Sequence, residues 1–202
     1  MQPRPQVPAW DAIVLAGGRG ARLGGVDKPG LVVGGVPMLD RVLDAVAGAT
    51  SVVVVGPRRP TRRPVLWTLE DPPGGGPVAG IAAGLGRVTA ARVVLLAADL
   101  PLLTAAVPDL LLAALDNPPG RGTRAPVAVA VDPDGREQHL LAAWDSGALR
   151  AALPPETAGA RARDLLPADA VRVVLDPTGG AWRDCDTPQD LLDVRRRLRP
   201  RD

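Results

Sequence analysis

The sequence is poor in the residues that build several common kinds of functional site. Cys185 is the only cysteine, so an intrachain disulfide is impossible and nothing indicates an oxidising compartment. His139 is the only histidine, which excludes a His/Cys metal cluster and leaves Ser/His/Asp chemistry a single residue to draw on. Phe and Tyr are absent and only four Trp are present, so single-stranded nucleic acid would find almost no aromatic platform on which to stack.

Long apolar runs are also missing. None approaches the roughly 18 residues that a membrane span requires, and the Pro-rich first residues lack the apolar centre of a signal peptide. The formal charge over 202 residues is only +2. We therefore expect a cytoplasmic protein with no nucleic-acid or membrane partner, whose ligand is an anionic small molecule.

The order of the apolar segments predicts the fold class. Strand-like runs alternate with helical segments, which indicates a three-layer αβα domain around a mostly parallel, Rossmann-like sheet. Val127–Val131 and Gln138–Trp144 flank a turn and predict a small antiparallel portion in the C-terminal half. Residues 1–10 contain three prolines and are expected to form a disordered tail, followed by a single domain over 11–202.

Four further local expectations follow from composition. Arg161–Leu166 is predicted to be helical and Ala181–Arg183 extended. The four arginines between Pro57 and Pro64 favour a solvated connection over a nucleic-acid patch, because prolines flank them in a surface loop. A helix that begins near Pro77 carries Gly80 and Gly84, which predicts the close approach of a backbone or a ligand.

A glycine-rich stretch, residues 15–28, follows a buried apolar run and carries two arginines and the only lysine of the chain, Lys28. Glycines let backbone N–H groups turn toward an anion, and the cations would neutralise its charge. The stretch is neither a dinucleotide-binding fingerprint, since Leu23 stands where a third glycine belongs, nor a Walker A loop, since Asp27 precedes Lys28. A plain surface turn is the alternative interpretation.

Asp99 is the strongest single candidate outside this stretch. It follows the apolar run 92–97 directly, and open α/β sheets bind ligands at the carboxyl ends of their strands. A carboxylate there can hold a hard divalent cation, which prefers oxygen ligands. Capping of the next helix is the alternative role.

The glycine-rich stretch resembles the signature of the MobA-like nucleotidyltransferases, Leu-Ala-Gly-Gly-x3-Arg-x-Gly-x-Asp-Lys, with one extra position. Within that family the chain is most similar to the guanylyltransferases of molybdenum cofactor biosynthesis. The resemblance implies that Asp99 binds Mg²⁺, that Arg22 and Lys28 are catalytic, and that residues 11–116 bind the NTP while 125–202 bind the acceptor. It further implies nucleotide contacts from Leu15, Ala16, Gly17, Gly18, Gly20, Lys28, Asp71, Gly80 and Asp99.

The same resemblance suggests residues near the acceptor. Asp184 and Asp186 stand where the family motif has two asparagines, and they either approach the metal or cap the last helix with Thr187. His139 lies where relatives often carry Gln/His-Pro, although Leu140 replaces the proline. Arg161 resembles a basic residue on the side of the pterin phosphate, and a solvated helix arginine is the alternative.

The resemblance implies transfer of a nucleoside monophosphate from an NTP to a phosphorylated acceptor with release of pyrophosphate. GTP and molybdopterin are the first choice of substrates. CTP with molybdopterin, or a sugar, polyol or phospholactate acceptor, stays open, and so does a non-catalytic nucleotide-binding or partner-binding role. Lys28 is expected to be an exposed loop cation whose removal affects turnover far more than stability.

Overall fold

The computed structural model describes residues 8–17, 26–120 and 122–198. Strands and helices alternate through these ranges much as the apolar segments predict. The strands are β1 (Asp11–Leu15), β2 (Val32–Val33), β3 (Val36–Pro37), β4 (Ser51–Val55), β5 (Leu66–Thr68), β6 (Arg92–Ala97), β7 (Val127–Val131), β8 (Glu137–Asp145) and β9 (Val171–Val174). The helices are α1 (Met38–Ala45), α2 (Pro77–Leu85), α3 (Ala106–Asp116), α4 (Ser146–Ala152) and α5 (Pro188–Arg197).

One seven-stranded sheet organises the molecule, with the strand order β5-β4-β1-β6-β8-β7-β9. The strands β5, β4, β1 and β6 run parallel, so their carboxyl ends meet at one edge. β8 runs antiparallel to both β6 and β7, and β9 is again parallel to β7. The mostly parallel sheet and the antiparallel portion in the C-terminal half are both confirmed, and β2 pairs with β3 in a separate two-stranded sheet.

Helices cover both faces of the sheet, which confirms the three-layer architecture. On one face, α1 and α3 pack against side chains such as Val14 and Leu96. On the other, α2 and α4 pack against Ile13 and Leu95. Neighbouring β-strand residues thus point to opposite faces, and both faces are apolar, as expected for a parallel sheet between two layers.

Glycines on α2 allow this helix to lie unusually close to the sheet. A Cβ at Gly84 would lie 2.7 Å from Cγ2 of Ile13, and one at Gly80 would lie 3.1 Å from Cδ2 of Leu15. Both contacts are with side chains of β1, so the close approach predicted for these glycines is that of the sheet. It brings the N-terminal end of α2 beside the carboxyl end of β1.

The structure corrects three of the local expectations. Trp10 is buried in the core, so the disordered tail predicted for residues 1–10 is wrong at its last position; residues 1–7 lie outside the described residues. Residues 181 and 182 form a turn rather than an extended segment, and Arg161–Leu166 contains only a 3₁₀ turn, Ala162–Leu165.

The arginines of the loop after β4 are not a uniformly solvated set. Arg63 donates to the carbonyls of Leu43 and Ala47 near the end of α1. The side chain of Arg59 is only 12% exposed, whereas Arg58 is exposed. The expectation of a solvated connection is therefore wrong for Arg59 and Arg63, because carbonyl and carboxylate acceptors are within their reach.

A buried arginine lies at the opposite edge of the sheet, where β6 begins. The side chain of Arg92 is 1% exposed and pairs with Asp116, which also forms an ion pair with Arg124, with Nε and Oδ1 3.1 Å apart. This edge is remote from the carboxyl end of β6, so these residues serve the fold.

No helix in the described part of the chain has both the length and the apolar character needed to cross a membrane.

Candidate active site

A cavity of about 790 Å³ opens at the carboxyl ends of β1, β4 and β6. Parallel strands place their last residues at one edge, so three separate stretches of sequence contribute to its wall. Six residues predicted to contact the nucleotide line it: Leu15, Ala16, Gly17, Lys28, Gly80 and Asp99. Gly18, Gly20 and Arg22, predicted from the same stretch, lie outside the described residues.

Lys28 is at the centre of the charged part of this cavity. A single 3₁₀ turn, Lys28–Gly30, presents it, with the Gly30 N–H donating to the Asp27 carbonyl at 3.0 Å. The Lys28 ammonium donates to Oδ2 of Asp99 at 2.6 Å and to Oδ1 of Asp186. Burial opposes its charge, but the hydrogen bonds and charges of Asp186 and Asp99 outweigh burial and raise the pKa of Lys28.

This geometry corrects the expectation that Lys28 is an exposed cation. Only 8% of the residue is accessible to solvent, and it neutralises two carboxylates that come from distant parts of the chain. The two carboxylates hold the Lys28 ammonium in place, and its loss would leave Asp99 and Asp186 facing each other.

Asp184 and Asp186 are distinguished by their surroundings. Thr187 caps α5 and forms a capping box with Asp190, so the side chain of Asp186 is directed to Lys28 instead. Partial desolvation and the neighbouring carboxylates of Asp186 and Asp99 raise the pKa of Asp184. The two aspartates therefore add negative charge to the site rather than capping the helix.

The donor set around Lys28 suits a hard cation. Asp99 and Asp186 converge on the ammonium, so a positive charge is stabilised at this point. Within the described ranges no three acidic, His or Cys side chains are arranged to hold a metal by themselves. Because Mg²⁺ commonly takes one or two carboxylates and completes its shell with phosphates and water, the residues fit a cation that shares its ligands with a nucleotide.

The acidic residue that lines the cavity is Glu70, the neighbour of the predicted nucleotide contact Asp71. Asp71 is exposed and is absent from the described wall of the cavity, whereas Glu70 lines it. A Cβ placed on Gly17 would lie 3.5 Å from Oε2 of Glu70, and Oε1 accepts from the Gly74 N–H at 3.3 Å. Glu70 and Asp71 both precede the glycines in the sequence, and the backbone after β5 directs only Glu70 toward the cavity.

A second cavity of about 530 Å³ adjoins the first. The two share the wall formed by Pro77, Ala97, Asp99 and Leu140. Three residues predicted on the acceptor side, His139, Arg161 and Asp184, line the second cavity.

His139 and Arg161 in the second cavity each lie beside an acidic side chain. Nε2 of His139 lies 3.5 Å from Oε2 of Glu137, and Nε of Arg161 donates to Asp164 at 2.9 Å. Sequence reasoning missed Trp182 and Arg163, which also line the cavity. Both stand in segments whose backbone was predicted wrongly, so no periodic pattern indicated their direction.

A protein-family model describes this arrangement. The model for the MobA-like NTP transferase domain matches residues 12–173, which include every described wall residue of the two cavities except Trp182 and Asp184. The chain belongs to the MobA-like NTP transferase family.

Relatives of this MobA-like NTP transferase carry consistent names. A probable molybdenum cofactor guanylyltransferase of Trichormus variabilis is 32% identical over 91% of this chain and 89% of its own. A molybdenum cofactor guanylyltransferase of Acidiphilium cryptum is 39% identical over 66% of this chain and 65% of its own. The family and these relatives establish a nucleotidyltransferase.

Solved structures share the fold of the MobA-like NTP transferase. Molybdopterin-guanine dinucleotide biosynthesis protein A from Archaeoglobus fulgidus superposes with a TM-score of 0.68 at 20% identity, covering 92% of this chain and 97% of its own. The 2-C-methyl-D-erythritol 4-phosphate cytidylyltransferase of Thermus thermophilus gives 0.64 at 19% identity, covering 93% and 98%. At these identities the likeness concerns the fold alone.

Proposed function

We propose that this nucleotidyltransferase transfers GMP from GTP to molybdopterin and releases pyrophosphate. The observation that carries the proposal is the pair of cavities that meet at Asp99 with the Lys28 ammonium beside it. A donor in the first cavity and an acceptor in the second would face each other across this shared wall. The relatives named molybdenum cofactor guanylyltransferase support this choice of the two substrates.

In the proposed step, an oxygen of the acceptor phosphate attacks the α-phosphorus of the nucleotide. The new bond joins this oxygen to the α-phosphorus, and the bond to the β-phosphate oxygen breaks with its electron pair leaving on pyrophosphate. The attacking phosphate is already anionic, so the chain needs no general base. Its tasks are alignment of the two substrates and stabilisation of charge on the transferred group.

Named residues would perform these tasks. Lys28 would release one of its carboxylates and donate to phosphate oxygens, and the backbone N–H of Gly17 would bind the triphosphate. Asp99 would hold Mg²⁺, which when bound supplies charge neutralisation on the phosphates. Gly18, Gly20 and Arg22 stay predictions from the sequence for the same end of the nucleotide.

Glu70 supports GTP as the donor. Besides Lys28 and Asp99, it is the one charged side chain on the described wall of the first cavity. The Watson–Crick edge of guanine presents a ring N–H and an amino group side by side, and a carboxylate can accept from both. Cytosine offers an amino group beside two acceptors, so one of its acceptors would face the carboxylate.

Residues 11–116 would bind the NTP and 125–202 the acceptor. The first cavity draws all of its described wall except Leu140 from the first range. Arg161 and Arg163 line the second cavity and bring positive charge to the side where a phosphorylated acceptor would bind. His139 and Asp184 complete this proposed acceptor side.

Pyrophosphate release tests the proposal. The enzyme is assayed with each of the four NTPs and Mg²⁺, with and without molybdopterin, and the product is identified by mass. Turnover with GTP that depends on molybdopterin is expected. Tight NTP binding without turnover on any acceptor would overturn the assignment in favour of a non-catalytic protein.

Two neighbouring variants test the base contact. Glu70→Gln should weaken the preference for GTP over CTP by about 10-fold or more, because a charged acceptor of two hydrogen bonds is lost. Asp71→Asn removes the same charge one residue further on and should leave the preference intact. The opposite ranking would return the nucleotide contact to Asp71.

A further inference from the structure

One side chain from the connection after β4 bridges two described residues of the glycine-rich stretch, Ala16 and Asp27. Ala16 directly follows β1, and Asp27 immediately precedes Lys28. Arg59, in the connection after β4, contacts both of these residues. Its Nη1 donates to the Ala16 carbonyl at 3.4 Å, at the beginning of the loop.

At the end of the loop the contact is bidentate. Nε of Arg59 donates to Oδ2 of Asp27 at 3.1 Å, and Nη2 donates to Oδ1 at 2.7 Å. Parallel bonds from a planar guanidinium to a carboxylate fix orientation as well as distance. The Arg59 side chain is 12% exposed and Asp27 is 57% exposed, so the arginine is the packed partner.

The connection that carries Arg59 is itself fastened to β1. Gly56 has φ +147, and a Cβ there would lie 2.7 Å from both the carbonyl carbon and the oxygen of Ala16. The Ala16 N–H donates to the Val55 carbonyl at 2.8 Å, and the Gly56 N–H donates to the Thr68 carbonyl at 2.9 Å. The guanidinium therefore extends from a backbone that is held on both sides by the sheet.

The Asp27 carboxylate also packs on the turn that presents Lys28. A Cβ at Gly30 would lie 2.5 Å from Oδ2 of Asp27, so glycine is what allows the carboxylate to cover the turn. Fixing Asp27 consequently fixes the Lys28–Gly30 turn, and with it the direction from which Lys28 approaches Asp99.

We propose that Arg59 is a positioning residue for nucleotidyl transfer, which ties Ala16 to Asp27 and thereby fixes Lys28 beside Asp99. The inference rests on the proposed function for its catalytic consequence only. Ordering a binding site costs conformational entropy, and a side chain that holds Asp27 and the Lys28–Gly30 turn beforehand reduces the cost of binding the nucleotide. Arg59 itself touches no reacting atom in this arrangement.

Steady-state pyrophosphate release tests the catalytic consequence. Arg59→Ala should lower kcat/KM for the NTP by about 10- to 100-fold, since a displacement of about 1 Å in a positioning group has effects of this size. Arg59→Lys keeps the charge but loses the bidentate contact, and should recover only part of the activity. Arg58→Ala is the matched control, because Arg58 is exposed and has no hydrogen bond or ion pair to any described residue.

Chemical rescue separates positioning from a general structural role. Millimolar guanidinium should restore part of the activity of Arg59→Ala, because Asp27 and the Ala16 carbonyl remain to bind it. It should not restore Asp27→Asn, which lacks the carboxylate. The double variant should lose little more than either single variant, since both remove the same contact.

Trypsin cleavage after Arg19 and Arg22 provides a readout that needs no nucleotide. Because Arg59→Ala removes the contacts with Ala16 and Asp27, cleavage at these two sites should be several-fold faster in this variant than in the wild type or Arg58→Ala. If Arg59→Ala does not fold at the assay temperature, Asp27→Asn carries the same comparison with the Arg59 bond to Ala16 retained.

The outcomes separate this inference from the proposed function. The proposed role of Arg59 would be wrong if Arg59→Ala and Asp27→Asn matched Arg58→Ala in both kcat/KM and cleavage rate. A wild-type enzyme without turnover on any NTP would overturn the proposed function, and the cleavage rates would still decide whether Arg59 holds the loop.

Discussion

Replacement of Gly84 by alanine tests how closely α2 must pack on the sheet. Gly84 lies in the middle of α2, where alanine is the better helix former by about 1 kcal/mol. An isolated helix would therefore gain stability from the change. In the folded protein the new Cβ would lie 2.7 Å from Cγ2 and 3.2 Å from Cγ1 of Ile13, and 3.2 Å from Cγ2 of Val55.

The packing penalty should exceed the helical gain. Ile13 is a fully buried β-branched residue in the middle of β1, so its side chain has little freedom to turn away from a new Cβ. Overpacking of such a site costs about 1–3 kcal/mol. We expect a net loss of about 1 kcal/mol or more, which corresponds to a fall of about 2–4 °C in Tm per kcal/mol for a chain of this size.

Urea unfolding with Gly80→Ala as the comparison measures the effect. The Cβ at Gly80 would lie 3.1 Å from Cδ2 of Leu15, the far end of a side chain that is only partly buried and can turn away. Gly80→Ala should therefore be near neutral in stability but raise KM for the nucleotide, because Gly80 and Leu15 line the first cavity. Gly84→Ala as stable as Gly80→Ala, or more stable than the wild type, would refute the packing argument.

Three further predictions have defined outcomes. Lys28→Ala should lower the rate of pyrophosphate release by orders of magnitude, and full activity would contradict its role. It should also destabilise the fold by about 1–2 kcal/mol in urea unfolding, because Asp99 and Asp186 then repel each other in partial contact with solvent. Arg92→Met should cost about 2–4 kcal/mol in the same assay, as one partner of a buried pair is removed, while KM stays at the wild-type value; a change in KM would show that the two edges of the sheet are coupled. Burial raises the pKa of the Cys185 thiol from 9.0 to about 11, so the thiol should resist a disulfide reagent until the protein unfolds. Between pH 9.0 and about 11 the unfolded state loses the thiol proton first, so the free energy of unfolding should fall over this range. Rapid labelling of the native protein would contradict this prediction.

The sequence predicts several residues of the first cavity wall because the elements that carry them are local. β1 and β6 are continuous apolar runs whose ends deliver the glycine-rich stretch and Asp99, and parallel strands bring such ends to one edge. The signature in residues 15–28 adds the resemblance to the MobA-like family, which the family model confirms. No structure is needed to infer that Lys28 and Asp99 belong to one site.

Contacts between distant residues are what the sequence does not reveal. Lys28 and Asp186 are 158 positions apart, and their ion pair depends on how α5 packs beside the turn that carries Lys28. Arg59 lies in a run of arginines and prolines that is typical of a solvated loop, and only the end of β4 brings it over Asp27. Glu70 and Asp71 are adjacent, and the direction of the backbone after β5 determines which of them lines the first cavity.

The antiparallel direction of β8 has a consequence for how the substrate specificity of the enzyme could be changed. Because β8 runs against β6, its first residues lie at the same edge as the last residues of β6, with Leu141 opposite Leu96. His139 therefore faces the second cavity, and not the first, from a strand whose backbone pairing does not depend on its side chain. Under the proposed function, substitutions at His139 should change which acceptor is taken while the nucleotide is still bound.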